Sequence, residues 1–305
     1  MSLIPGLFPS PLRYPGGKGK IAPYIKSLLL DNDLIGIDYG EPYAGGASVA
    51  LSLLYEDYAD TIHINDLNRG VYSFWRSALE NTDELCGMIL DTPLTMDEWH
   101  IQRDISRTAN SSTMSLGFAT FYMNRTNRSG IIGGGVVGGK SQSGYWKLDA
   151  RFNRDDLVQR VQKVGRHSSR IALTNLDAVD FLKSWSGKGL SSGSFIYLDP
   201  PYFVKGRGLY DNYYDPQDHA AVAKVVGSLS CPWLVSYDAA AEIVELYGKY
   251  PSIRYSLRYS AAERGQGSEI MVFSPELLIP SELPNSVRNP DVLNRRKSRE
   301  LASVL

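Results

Sequence analysis

Metal-binding side chains are scarce in this chain, which has two cysteines and four histidines in 305 residues. Cys86 and Cys231 stand alone, and His63, His100, His167 and His219 share no ligand spacing, so no metal site is expected. Long apolar runs are missing too. Nothing approaches the roughly 18 consecutive apolar residues of a membrane-spanning helix, and residues 1–11 have neither the basic start nor the apolar stretch of a secretory leader. The expectation is a protein of the reducing cytoplasm with no membrane partner. Charge of one sign is also lacking: the formal net charge of −1 gives no global attraction to a polyanion. No solenoid-type repeat is present, and a hydrophobic fraction of 43% suits one large core with room for an inserted subdomain.

What the chain does have lies in short segments. The apolar run Phe195-Ile196-Tyr197-Leu198 reads as a buried strand of a parallel sheet. Asp199-Pro200-Pro201-Tyr202 ends it, because neither proline can donate a ladder hydrogen bond. Such a loop sits at the carboxyl edge of the sheet, where open α/β folds bind ligands. Asp199 and the Pro200 carbonyl offer two acceptors and Tyr202 a stacking surface, a set suited to a planar base with an exocyclic amine. Alone, the segment fits an ordinary strand-ending turn as well.

A second segment reads as strand, glycine loop and helix: Ile35 to Glu41, then Pro42-Tyr43-Ala44-Gly45-Gly46-Ala47-Ser48, then the apolar Val49 to Tyr55. Gly45 and Gly46 let the backbone approach a ligand closely. Asp66 ends the next strand about 20 residues on, the distance at which an acid takes ribose hydroxyls. Full dinucleotide spacing and a phosphate-binding lysine are both absent, so a nucleoside without phosphates fits better. S-adenosylmethionine is such a cofactor, with hydroxyls for Asp66 and a cationic end for Glu41. A third segment, Arg13-Tyr14-Pro15-Gly16-Gly17-Lys18, is a basic glycine turn opening a helix. It can hold a carboxylate or a phosphate through its amides and Lys18, or be a solvated loop.

In this order and spacing, the segments at Tyr14 to Lys18, Glu41 to Gly46, Asn65-Asp66 and Asp199 to Tyr202 resemble the Dam-type (D12 class) family of DNA adenine-N6 methyltransferases. The resemblance runs from about residue 10 to 275 and includes Phe121-Tyr122-Met123-Asn124-Arg125, Arg151-Phe152-Asn153 and Asn175-Leu176-Asp177. It implies an α/β, Rossmann-like S-adenosylmethionine-dependent methyltransferase sheet with an inserted, mostly helical target-recognition subdomain. By position, Tyr14 and Lys18 would contact the amino acid end of the cofactor. Glu41 and Gly45 would line its pocket, Asp66 would hold the ribose and Asp177 would border the cofactor adenine. Asp199, Pro200 and Tyr202 would hold the target base. Hydrogen bonds from its amine to Asp199 and Pro200 would free the nitrogen lone pair for an in-line methyl transfer.

Between Thr120 and Arg170 lie ten basic and three acidic residues, in contrast to the balanced whole. This stretch, with its glycine-rich segment 131–140 and the polar-aromatic Ser141 to Trp146, reads as a basic loop or hairpin suited to phosphates and groove edges. A solvated surface is the alternative. Arg125, Arg128, Lys140 and Arg151 are the candidate DNA contacts. Arg264 to Gly267 is a glycine turn that could reach the backbone or the flipped base. Family members that read GATC carry aromatic and asparagine residues after the Asn-Arg pair, where this chain has Asn127-Arg128-Ser129-Gly130. The target sequence is therefore open.

The expected organisation is a catalytic domain from residues 1–72 and 168–280, an insert from 73–167, and a basic, weakly ordered tail from 281–305. The aromatics of the insert's first helices are expected in the core. The expected partner is double-stranded DNA, with a cognate restriction endonuclease as the protein partner such a role offers. A cytosine amine, an RNA substrate and a noncatalytic nucleic-acid-binding relative are the competing readings.

Overall fold

A computed structural model describes residues 9–13, 18–186, 193–204, 214–257, 268–280 and 287–293. Among them one sheet contains β1 (Ile37–Glu41), β2 (Ala59–Asn65), β3 (Ile171–Thr174), β4 (Ser194–Leu198), β5 (Trp233–Asp238), β6 (Ser252–Leu257), β7 (Ser268–Phe273) and β8 (Val287–Leu293). Their order is β3-β2-β1-β4-β5-β7-β6-β8. The first five run parallel to one another, and β7, β6 and β8 close the sheet in antiparallel fashion from β5 outward. All five residues of β4 are buried, as a strand covered on both faces requires. This is the expected α/β, Rossmann-like sheet.

Helices α1 (Ala22–Asp31), α2 (Ser48–Tyr55), α8 (Ala178–Ser186), α9 (Pro216–Val226) and α10 (Ala241–Leu246) alternate with the strands. Between β2 and β3 the chain forms α3 (Arg69–Glu80), α4 (Thr82–Asp91), α5 (Met96–Arg107), α6 (Thr113–Thr126) and α7 (Arg154–Arg166). Because α3 starts at Arg69, the expected division between residues 72 and 73 falls inside a helix. Asn68 caps α3, its side chain accepting from the amides of Gly70 and Val71.

Helix α6 is buried on every side from Leu116 to Thr126. It lies so close to α3 that a Cβ on Gly117 would sit 2.6 Å from the Ser73 carbonyl oxygen. Phe74 and Phe121 stack there at 5.6 Å. Phe74, Trp75, Phe118, Phe121 and Tyr122 of these helices are core residues, in one apolar cluster with Tyr39 and Ile62 of the sheet, whereas Tyr72 is half-buried.

The tail departs from expectation at its described residues. Residues 287–293 form β8, which pairs with β6 along the sheet edge. The edge position explains how a strand containing Pro290 is tolerated, since the missing donor need not face a partner.

Candidate active site

The sheet order reverses beside β1, which has β2 on one side and β4 on the other. Ligands of open α/β sheets bind at such a point, outside the carboxyl ends of the strands. Glu41 ends β1 and Asp199 follows β4, so both stand at this crevice.

The loop after β1 is built tightly. Gly45 and Ala47 take positive φ angles of 47° and 45°, turning the chain into α2. The Gly45 amide donates to Asp66 Oδ2 at 2.8 Å, and its carbonyl accepts from Trp75 Nε1 of α3 at 2.9 Å. The other Asp66 oxygen accepts from the Asn68 amide at 2.8 Å. Burial pushes the Asp66 carboxyl up to about 6 against these bonds. Asn65 donates to the carbonyls of Pro42 and Leu176, tying the loop to the segment after β3. Glu41 is buried, and its Oε1 accepts from Tyr39 Oη at 2.9 Å and the Ala50 amide at 3.0 Å. Burial pushes this carboxyl up to about 8. Its Oε2 takes no hydrogen bond among the described residues.

The second cluster surrounds Asp199. Its Oδ1 pairs with Lys18 Nζ at 3.0 Å and accepts from Ser236 Oγ at 2.8 Å. The Ser236 hydroxyl lies 2.8 Å from Tyr197 Oη and 3.3 Å from Lys18 Nζ. Asp199 Oδ2 takes no hydrogen bond among the described residues, and the side chain is 19% exposed. Anchoring one oxygen thus orients the other. Burial pushes the Asp199 carboxyl up, while Lys18 and the Ser236 hydroxyl pull it back. Burial would lower Lys18, but Asp199, Tyr255, Tyr202 and Glu269 hold it well above its ordinary value, so it is charged. Tyr202 lies with its ring 5.2 Å from Lys18 Nζ and donates its hydroxyl to Glu269 Oε1 at 2.7 Å. Asp238 clamps the following backbone, accepting from the amides of Phe203 and Val204 at 2.9 Å each. Pro200 is buried, and its carbonyl accepts no hydrogen bond among the described residues.

Lys18, Asp199 and Tyr202 therefore meet in one network. Gly45 and Asp66 share a second, and Glu41 is held separately by Tyr39 and Ala50 at the same sheet edge. Asp177 is exposed and accepts from the Val179 amide at 2.8 Å, capping α8. Tyr14 and the Arg264 to Gly267 turn lie outside the described residues.

The basic insert is divided. Arg128, Lys140 and Arg151 are exposed, and the Arg151 guanidinium lies 5.9 Å from the Trp146 ring centre. Arg125 is a correction. It is 6% exposed, and its guanidinium donates to the Pro11 carbonyl, so it braces the amino-terminal segment and cannot reach a phosphate. Asn124 acts beside it, accepting from the Arg13 amide at 2.7 Å and donating to the Arg13 and Gly130 carbonyls. Asn127 is fully buried and donates to the carbonyls of Ile131 and Ile132 while accepting from Trp99 Nε1.

Ser236, Asp238 and Glu269 were not singled out from the sequence. A signal was present: Ser236 and Asp238 are polar residues two apart at the carboxyl end of an apolar strand, and Glu269 is a charge at the second position of another.

In overall fold the chain is similar to "Putative methyltransferase yhhF from Escherichia coli", at 10% identity over 86% of this chain and 90% of that one, with a TM-score of 0.34. It is also similar to the rRNA methyltransferase aviRa from Streptomyces viridochromogenes, at 12% identity over 89% and 88% of the two chains, with a TM-score of 0.36. No curated protein matches it in sequence. The family model of the D12 class N6 adenine-specific DNA methyltransferases matches residues 14–261, a span that holds both loops of the crevice and the whole helical insert, and the chain belongs to that family.

Proposed function

We propose that this protein transfers a methyl group from S-adenosylmethionine to the exocyclic amine of an adenine flipped out of duplex DNA. The observation that carries this reading is the state of Asp199: one oxygen is anchored by Lys18 and Ser236 and the other is left for a donor. The amine would give one N–H to Asp199 Oδ2 and the other to the Pro200 carbonyl. Both bonds favour a tetrahedral nitrogen with a free lone pair. Tyr202 supplies a ring that recovers part of the few kcal/mol that unstacking costs.

The residues after β1 fit the cofactor. Glu41 is a buried acid with one oxygen unengaged, and a cationic sulfonium or ammonium beside it would draw off its proton. Asp66 keeps a second lone pair on each oxygen for ribose hydroxyls, and Gly45 leaves the approach open. When bound, S-adenosylmethionine supplies the electrophilic methyl group. The chain itself contributes alignment of the amine, which for two oriented reactants is worth up to about 7–11 kcal/mol. Asp177, exposed beyond β3, and Tyr14 complete the proposed cofactor set.

Arg128, Lys140 and Arg151 form the proposed phosphate contacts. Replacing Arg128 and Lys140 with alanine is expected to weaken binding of all DNA sequences alike and to reduce the salt slope by about one per residue. An unchanged slope in both variants removes these residues from the interface.

The decisive experiment is methylation-sensitive sequencing of DNA from a methylation-free host expressing the protein. Modified adenine in one recurring motif is the expected result. Unmodified DNA, from protein that is folded and binds S-adenosylmethionine, overturns the reading in favour of an RNA substrate or a noncatalytic role.

A further inference from the structure

We propose that Glu269 is a positioning residue for the transfer, holding Tyr202 with one carboxylate oxygen and Lys18 with the other so that Asp199 stays a strong acceptor for the amine. The inference rests on the proposed adenine transfer and concerns a residue that contacts neither base nor cofactor in it.

Glu269 is the second residue of β7 and is 1% exposed. Sheet register aligns it with Asp238 of β5 on one side and Tyr255 of β6 on the other. Directly opposed residues share a face, so the three side chains form a row along the carboxyl edge of β5. Oε1 accepts from Tyr202 Oη at 2.7 Å, which fixes the ring of the base-holding loop. Oε2 accepts from Tyr255 Oη at 2.7 Å and from Lys18 Nζ at 3.2 Å. A carboxylate is costly to bury and is retained only when its lone pairs are filled. Here the donors include Lys18, which pairs with Asp199, and Tyr202, which is proposed to stack on the base, beside Tyr255.

The division of Lys18 is the consequence for the chemistry. Its ammonium stands 3.0 Å from Asp199 and 3.2 Å from Glu269, nearly midway between two carboxylates. One positive charge is shared by two negative ones, so Asp199 is anchored without being neutralised. Without Glu269 the lysine would belong to Asp199 alone, and the oxygen meant for the amine would be a weaker acceptor. Tyr202 would also lose its charge-assisted tether.

The test is Glu269→Gln, which keeps the size and removes the charge. Expected is a fall in kcat on the order of 10- to 100-fold, the scale of a small misplacement at the reacting centre, with S-adenosylmethionine affinity nearly unchanged. The titratable groups facing Lys18 are Asp199, Tyr197, Tyr202, Tyr255 and Glu269. Removing one of its two carboxylates lets the ammonium deprotonate at lower pH, so the basic limb of the kcat profile is expected to move down. Tyr202→Phe is expected to lose kcat, and the double variant to lose less than the product of the single losses. Unchanged kcat and pH profile in folded Glu269→Gln, or strictly multiplicative losses, overturn the inference. If Glu269→Gln does not fold, the tyrosines decide it: Tyr202→Phe alone should lose kcat, and equal effects of Tyr202→Phe and Tyr255→Phe overturn it. Wild-type protein that methylates no adenine refutes the parent reading instead, so the two failures are distinguishable.

Discussion

Asp199→Ala is expected to abolish methyl transfer, lowering kcat by at least the 10²–10³-fold typical of losing one preorganised electrostatic contact, while S-adenosylmethionine binding stays nearly intact. The asymmetry follows from the geometry. Asp199 Oδ1 is committed to Lys18 and Ser236, and Oδ2 is the atom with no hydrogen bond among the described residues. Alanine removes the acceptor but leaves the Gly45–Asp66 hydrogen bond and the two bonds to Glu41 in place, the lost Asp199 charge only relieving a repulsion that pushes the Glu41 carboxyl up. Folding is expected to survive, because Lys18 keeps Glu269 as a partner and is not left as an uncompensated buried charge. Asp199→Asn is the sharper control. An amide that keeps its oxygen toward Lys18 presents an N–H2 to the incoming amine, a donor against a donor. Single-turnover rates and calorimetric cofactor titration decide the matter, and either an active alanine variant or one that has lost cofactor binding contradicts the assignment.

The second large effect is expected at Trp75. This side chain is fully buried, packs edge-to-face with Phe74 at 5.1 Å and donates to the Gly45 carbonyl. Truncation to alanine empties a large volume and should cost about 3–5 kcal/mol, a big part of the about 5–15 kcal/mol that holds a typical domain folded. It also frees the loop proposed to receive the cofactor. Trp75→Phe separates the two effects, keeping most of the volume and losing only the N–H. Its stability loss should be smaller, in the range of about 1–3 kcal/mol for an unsatisfied buried acceptor, yet its affinity for S-adenosylmethionine should fall. Urea denaturation and cofactor titration of both variants test this. A Trp75→Phe protein with native affinity would show that the helical insert does not support the loop after β1.

The strands that carry the crevice were legible because their signals are short-range. Two prolines stop β4, a glycine pair turns the chain after β1 and an acid ends β2, each readable within a few residues. The antiparallel β6 and β7 were legible for the same reason, β6 as an alternation of polar and apolar residues and β7 as a short apolar run. The edge strand β8 was not, because its polar-interrupted, proline-containing sequence pairs only where β6 offers an open edge. Arg125 misled for a related reason: its place in a basic stretch describes charge along the chain, whereas its burial against Pro11 is set by a contact across 114 residues.

Local order along the chain was therefore sufficient for the sheet class and for the position of Asp199 at the carboxyl end of β4, since strand ends and tight turns are dictated by neighbouring residues. The partners of Asp199 were another matter. Lys18 and Glu269 are 251 residues apart, and nothing near either one announces the other. They meet because β7 pairs with β5 in one register, and a slip of one residue would turn Glu269 to the opposite face. That register follows from the packing of the sheet as a whole, so only the folded chain could show that one lysine is shared between two carboxylates.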